Sequence, residues 1–149
     1  MARPAQALIN LDALRHNYRL AAELCAPGRA LAVVKANAYG HGAIEVASAL
    51  EADVPAFGVA CIEEALELRH GGIKKPILLL EGVFSADEVD VAAAENFWLM
   101  VENTFQIEAL EQNQTKHLHK VWLKVDTGMH RLGIQPESFA AAYQRLRAC

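Results

Sequence analysis

The chain has 149 residues, 53% of them hydrophobic and 21% charged, with a formal net charge of -4 and a pI near 5.8. That length supports one domain with a real core, and the apolar excess suits a buried sheet wrapped in Ala- and Leu-rich helices. The charge balance excludes the basic field of a nucleic-acid binder, and no stretch approaches the ~18 uninterrupted apolar residues of a membrane span.

Met1-Ala2-Arg3-Pro4 lacks the charged region, apolar block and cleavage site of a secretion signal. Cys25, Cys61 and Cys149 are odd in number and widely spaced, so they offer neither a disulfide framework nor a paired metal motif. A reducing cytoplasm is the expected compartment.

Ala7-Leu8-Ile9 reads as a short strand. Asn10 can cap a helix with Leu11, Leu14, Tyr18, Ala21 and Cys25 at helical spacing, stopped by Pro27-Gly28. A β-branched strand follows at 30–35, ended by the Gly40-His41-Gly42 turn. Ala43 to Leu50 reads as a helix, Phe57 to Ala60 as a strand, and Ile62 to His70 as a helix closed by Gly71-Gly72. Pro76 to Leu80 is a continuous apolar run, which implies a strand buried on both faces. Ser85 and Glu88 form a capping box for a helix to Ala94. Phe97 to Val101 is a strand, and Asn103 caps a helix to about Asn113. Lys120 to Asp126 is a strand, and Pro136 opens a last helix carrying Phe139, Tyr143 and Leu146.

From residue 29 onward this is five strand–helix units, the pattern of a parallel α/β sheet. A (β/α)8 barrel needs eight units, whereas five strands can also complete a doubly wound sheet. Patterning alone leaves both open.

Lys35 stands where the first of these strands spills into a loop, the end at which α/β folds place chemistry. A desolvated lysine amine can condense with an aldehyde cofactor. The same lysine could equally snorkel to solvent. Tyr39 offers a phenol to a phosphate, or packs in the loop; His41 is a polar contact or a turn residue. In the run Trp122 to Gly133, Val121, Leu123 and Val125 share one strand face, and Trp122, Lys124 and Asp126 the other. Arg131 follows between Gly128 and Gly133, and a guanidinium suits bidentate carboxylate binding. An ordinary Lys124–Asp126 or Arg131–Asp126 ion pair is the plain alternative. His117 and His119 make a weak metal motif. Glu63, Glu64, Glu67 and Arg69 read as a solvated helix face with i,i+4 pairs. Phosphate loops of the nucleotide-binding kinds are absent.

Taken together, Ala32-Val33-Val34-Lys35-Ala36-Asn37-Ala38-Tyr39-Gly40-His41-Gly42 resembles the pyridoxal-phosphate attachment segment of bacterial alanine racemases. Leu123 to Gly133 resembles that family's second motif, and Phe57 to Ala60 and Pro76 to Gly82 also fit. The resemblance implies the first five strand–helix units of a (β/α)8 TIM-type barrel, with the family's C-terminal β domain absent. Residues 1–28 would be the N-terminal strand and helix, and 29–149 barrel units one to five. It implies pyridoxal 5'-phosphate as cofactor, held as an aldimine by Lys35, which is also one of two acid–base groups at the substrate Cα. Tyr39 would contact the cofactor phosphate, and Val33 and Leu80 would line the ring pocket. Lys124 would be the lysine that many members carry as a carbamate. Arg131 would meet the cofactor phenolic oxygen and the carboxylate of the substrate, alanine.

The implied activity is interconversion of L- and D-alanine in a homodimer. The family's second base is a tyrosine from the partner's β domain, outside this sequence. The expectation is therefore a chain that is inactive alone and self-associates through open strand edges. A barrel amino-acid decarboxylase and a non-catalytic pyridoxal-phosphate-binding barrel are the rival readings.

Overall fold

The structure is a computed structural model that describes residues 5–113 and 120–149. Met1 to Pro4, and the expected His117–His119 motif, lie outside the described residues. Among those described, no helix is long and apolar enough to cross a membrane, and no cluster of His, Cys, Asp and Glu could hold a metal ion.

The elements run α1 (Leu11–Leu24), β1 (Ala32–Val33), α2 (Lys35–Gly40), α3 (Ala43–Leu50), β2 (Phe57–Val59), α4 (Ile62–His70), β3 (Ile77–Leu79), α5 (Glu88–Ala94), β4 (Phe97–Val101), α6 (Thr104–Gln112), β5 (Val121–Leu123), a 3-10 turn (Pro136–Ser138) and α7 (Phe139–Ala148). All strand pairings are parallel, in the order β1-β2-β3-β4-β5. Doubly wound sheets reverse direction at a switch point, whereas barrels add strands in sequence order. The order here is that of a barrel wall.

Two rows of side chains cross the sheet in register. Phe57, Ile77 and Phe97 form one, and Val59, Leu79 and Leu99 the other. All six are at most 1% exposed. They pack in one core with Val46, Ala47 and Leu50 of α3, Ala65 and Leu68 of α4, Val89 and Ala92 of α5, and Ile107 and Leu110 of α6. Each buried Val, Leu, Ile or Phe side chain among them contributes roughly 1.5–3 kcal/mol. The opposite face is less covered. Val33 and Trp122 are exposed there, and Trp98 and Met100 are half-buried. At β2 and β3 the strand buries every residue, and for β3 the continuous apolar run predicts it.

Helix starts follow their caps. The Asn10 side chain accepts the Asp12 and Ala13 N–H groups at 3.1 and 3.0 Å, and that of Asn103 accepts the Gln106 N–H at 3.0 Å. The Ser85–Glu88 box does not form as expected. The Ser85 hydroxyl is directed to the Asp87 carboxylate, and Glu88 reaches back to the Phe84 N–H at 2.9 Å. The expected strand at 7–9 is also absent. This segment is coil with Leu8 90% exposed, because a strand needs a neighbour to take its backbone groups and the sheet offers it none.

Arg69 is not the solvated residue its helix pattern suggests. Its guanidinium donates to the carbonyls of Ile73 (2.6 Å), Lys75 (2.9 Å) and Glu95 (3.0 and 3.2 Å). It also lies 5.2 Å over the Phe97 ring. Burial pulls its pKa down, against the opposing pull of Glu95 and Glu51. One side chain thus satisfies the loop before β3 and the loop before β4. Arg69→Ala is expected to lower unfolding free energy by about 2–3 kcal/mol in urea melts, through orphaned carbonyls. Arg69→Lys should restore less than half, since an ammonium cannot copy the fork.

Candidate functional site

The C-terminal ends of the parallel strands converge on one edge of the sheet. Lys35, Leu80, Glu102 and Lys124 all sit within two residues of a strand end. Leu80 and Lys124 continue their ladders by one bond each, Leu80 N–H to Val59 O and Lys124 N–H to Val101 O, both 2.8 Å. Val33 ends β1, 39% exposed on the open face. Gly58, its partner in β2, lets leucines close over the strand; a Cβ there would stand 2.7 Å from Leu31 Cδ2 and 3.5 Å from Leu80 Cδ1. Leu31 and Leu80 meet over Gly58, and with Val33 they make a shallow apolar wall at the strand ends that lead to Lys35.

Lys35 is half-buried and opens an unusual segment. The Gly40-His41-Gly42 stretch was expected to make the turn, but the chain turns earlier. Ala36, Asn37, Ala38 and Tyr39 all adopt left-handed helical backbone, with φ between 50 and 55°. L-residues resist this by roughly 1–2 kcal/mol each, so the run persists only where other bonds impose it. Those bonds are present. Ala38 N–H reaches Val34 O at 2.8 Å, and Gly42 N–H reaches Asn37 O at 3.0 Å. The Asn37 side chain accepts the Ala43 N–H at 2.7 Å, and His41 Nδ1 lies 2.8 Å from Ala38 O. The Glu64 carboxylate accepts the Ala36 N–H at 2.7 Å and the Ala60 N–H at 2.8 Å. Tyr39 is carried to the rim, 62% exposed.

Lys124 Nζ lies 3.2 Å from Glu102 Oε2 and 3.5 Å from Leu80 O, spanning three strand ends. Glu102 is buried. Asp126 is turned away from Lys124 into its own loop. Its Oδ1 accepts the Gly128 and His130 N–H groups at 3.0 Å, and its Oδ2 lies 3.0 Å from His130 Nδ1. Asp126 N–H to Ile134 O and Ile134 N–H to Lys124 O, both 2.9 Å, close the loop base. Gly133 makes that closure possible at φ 118°, because a Cβ would lie 2.6 Å from Asp126 N. Neither plain ion pair foreseen from the sequence forms. Lys124 pairs with Glu102 and Asp126 with His130, and the exposed Arg131 has no acidic partner among the described residues.

The structure thus brings Lys35, Val33 and Leu80 to one strand edge with Lys124, and leaves Tyr39 and Arg131 on loops at its rim. Two acids were missed. Glu64 looked like one more charge on a solvated helix, and one of its two partners, Ala36, lies 28 residues away in sequence. Glu102 carried a readable signal, an acid directly after an apolar strand.

The N–H bonds from His130 and Gly128, then the His130 ring, hold the Asp126 carboxyl down to about 2. A depressed carboxylate contributes stability above its unfolded pKa of ~3.9 and loses it as pH falls through the folded value. The movement of the Gly128 amide shift that follows the Asp126 carboxylate should therefore begin only below pH ~4, with a midpoint near 2. A midpoint at the ordinary carboxylate value would mean that the clamp is open in solution.

Known proteins resemble this chain in sequence and in fold. A catabolic alanine racemase of Pseudomonas aeruginosa is 58% identical over 146 residues, 98% of this chain and 41% of the relative. An alanine racemase of Xanthomonas campestris is 58% identical over 145 residues, 97% of this chain and 40% of the relative. Among solved structures, alanine racemase from Acinetobacter baumannii superposes with a TM-score of 0.89 at 38% identity, covering 94% of this chain and 40% of that one. A histidine racemase from Leuconostoc mesenteroides superposes at 0.82 with 35% identity, covering 93% and 38%. The chain thus spans about two-fifths of the length of the relatives it matches. The family described as alanine racemase, N-terminal domain, matches residues 9–149, and the chain belongs to it.

Proposed function

We propose that this chain is the part of an alanine racemase that holds pyridoxal 5'-phosphate through Lys35 and presents one face of the site. The observation that carries this is the placement of Lys35, half-buried at a barrel strand end, beside an apolar wall and on a backbone held by several bonds. These residues fit the group. Lys35 supplies the amine for its aldehyde, Val33 and Leu80 an apolar surface for its ring, and Tyr39 a phenol for its phosphate. When bound, the cofactor withdraws electrons from the substrate Cα and makes its proton acidic.

The roles of the chain's own residues follow. Lys35 Nζ serves one face of Cα, taking the proton in one direction of the reaction and supplying it in the other, while the second base serves the opposite face. Arg131, with no acid of its own among the described residues, binds the substrate carboxylate and the cofactor phenolic oxygen. The Asp126–His130 clamp keeps the loop that bears Arg131 in one shape. Lys124 is the lysine proposed to carry a carbamate. Its ammonium form is tied to Glu102 at 3.2 Å, so a carbamate must replace that pair and would otherwise stand beside a buried carboxylate.

Alanine as substrate is supported by the relatives, and the loop holding Arg131 favours a racemase over the decarboxylase and carrier readings. A cytoplasmic homodimer completes the proposal. Self-association of the chain is supported by the outer edges of β1 and β5, which pair with no further strand among the described residues, and by Trp122, 47% exposed on the open face. Light scattering should report species larger than a monomer.

The first test is cofactor trapping. The chain is incubated with pyridoxal phosphate, reduced with borohydride and mapped by mass spectrometry. Label is expected at Lys35 above the surface lysines and lost from that peptide in Lys35→Ala. Diffuse label would overturn the assignment. A second expectation is that the 149-residue chain alone does not racemise alanine at an enzyme-like rate, because the second base expected from the family lies outside these residues. A coupled assay showing robust turnover would refute it.

A further inference from the structure

We propose that Glu64 is a positioning residue for Lys35, fixing the peptide through which Lys35 leaves β1. Glu64 Oε1 accepts the Ala36 N–H at 2.7 Å, and its Oε2 accepts the Ala60 N–H at 2.8 Å. The Ala36 nitrogen belongs to the peptide plane that Lys35 enters, so the first bond restrains ψ of Lys35 itself. Ala60 follows the last residue of β2, the strand paired with β1. One side chain on α4 therefore ties together the exits of two neighbouring strands.

The bond to Ala36 stands where it is most needed. Ala36 is the first left-handed residue, at φ 51° and ψ 50°. The other bonds of the turn restrain its middle and far end: Ala38 to Val34, Gly42 to Asn37, and Ala43 to the Asn37 side chain. No cation pairs with Glu64 among the described residues. Each of its oxygens serves a backbone N–H, an arrangement of charge-assisted bonds that only a carboxylate completes. Glu64 acts through the backbone and touches no substrate.

This inference rests on the reading of Lys35 as the cofactor lysine. Glu64→Gln keeps the size of the side chain but turns one acceptor oxygen into an amide that faces an N–H donor. The whole chain, wild type and variant, is treated with pyridoxal phosphate and borohydride across a pH series. The ratio of label at Lys35 to label at the exposed Lys74 is read by mass spectrometry. The ratio is expected to fall at least fivefold (on the order of one lost charge-assisted bond) in E64Q, with the melting transition kept. A wild-type preference for Lys35 that E64Q leaves unchanged overturns this proposal alone. A wild type with no preference for Lys35 overturns the cofactor reading and this one with it. If E64Q does not fold, amide hydrogen exchange of the wild type decides. Slow exchange at both Ala36 and Ala60 supports the proposal. Free exchange at Ala36, with Phe57 in β2 protected, overturns it.

Discussion

The parallel pairing of five strands in sequence order is the constraint on which everything else in this chain depends. In a parallel sheet with crossover helices, every strand must run the same way. Every strand end then opens on the same edge, whatever the loops contain. Lys35, Leu80, Glu102 and Lys124 come from four different strand ends, and the ladder alone makes them neighbours. The two buried rows, Phe57-Ile77-Phe97 and Val59-Leu79-Leu99, fix the register of the three central strands. A slip of one residue would put Gly58, Leu78 and Trp98 against the helices.

Within that frame left-handed backbone is concentrated in one run, with Asn96 and His130 as single instances elsewhere among the described residues. Four successive L-residues stand in left-handed backbone directly after Lys35. Such runs do not arise from local preference, since only Asn37 among the four tolerates the conformation well. The surrounding bonds impose it from α3, α4 and β1. The second loop is built differently. There one carboxylate, Asp126, gathers two N–H groups and a ring, and Gly133 allows the close return of the chain.

Much of the fold was legible because it is written in local periodicity. The helix at 43–50, the helix at 62–70 and the strand at 97–101 stand where the spacing of apolar residues puts them. Asn10 and Asn103 announced their caps because capping is a three-residue affair. The choice between a barrel wall and a doubly wound sheet was not legible in periodicity, since strand order is set by packing between units rather than within them; the family resemblance carried it. The same holds for the site. Lys35 and Arg131 stood out by motif. Glu64 did not, because its partners lie 28 residues before it and four before it, and only folding brings those two together. The turn at 36–39 was hidden for the opposite reason: its residues lack the glycines that usually mark positive φ.

The uneven covering of the sheet has an optical consequence. The chain has two tryptophans, and both Trp98 and Trp122 belong to the open face, their rings 6.5 Å apart. The Lys120 ammonium lies 4.2 Å from the centre of the Trp98 ring. All indole emission therefore originates on the side that the helices leave bare. Intrinsic fluorescence becomes a one-sided gauge, responsive to whatever settles on that face and nearly blind to events behind the sheet.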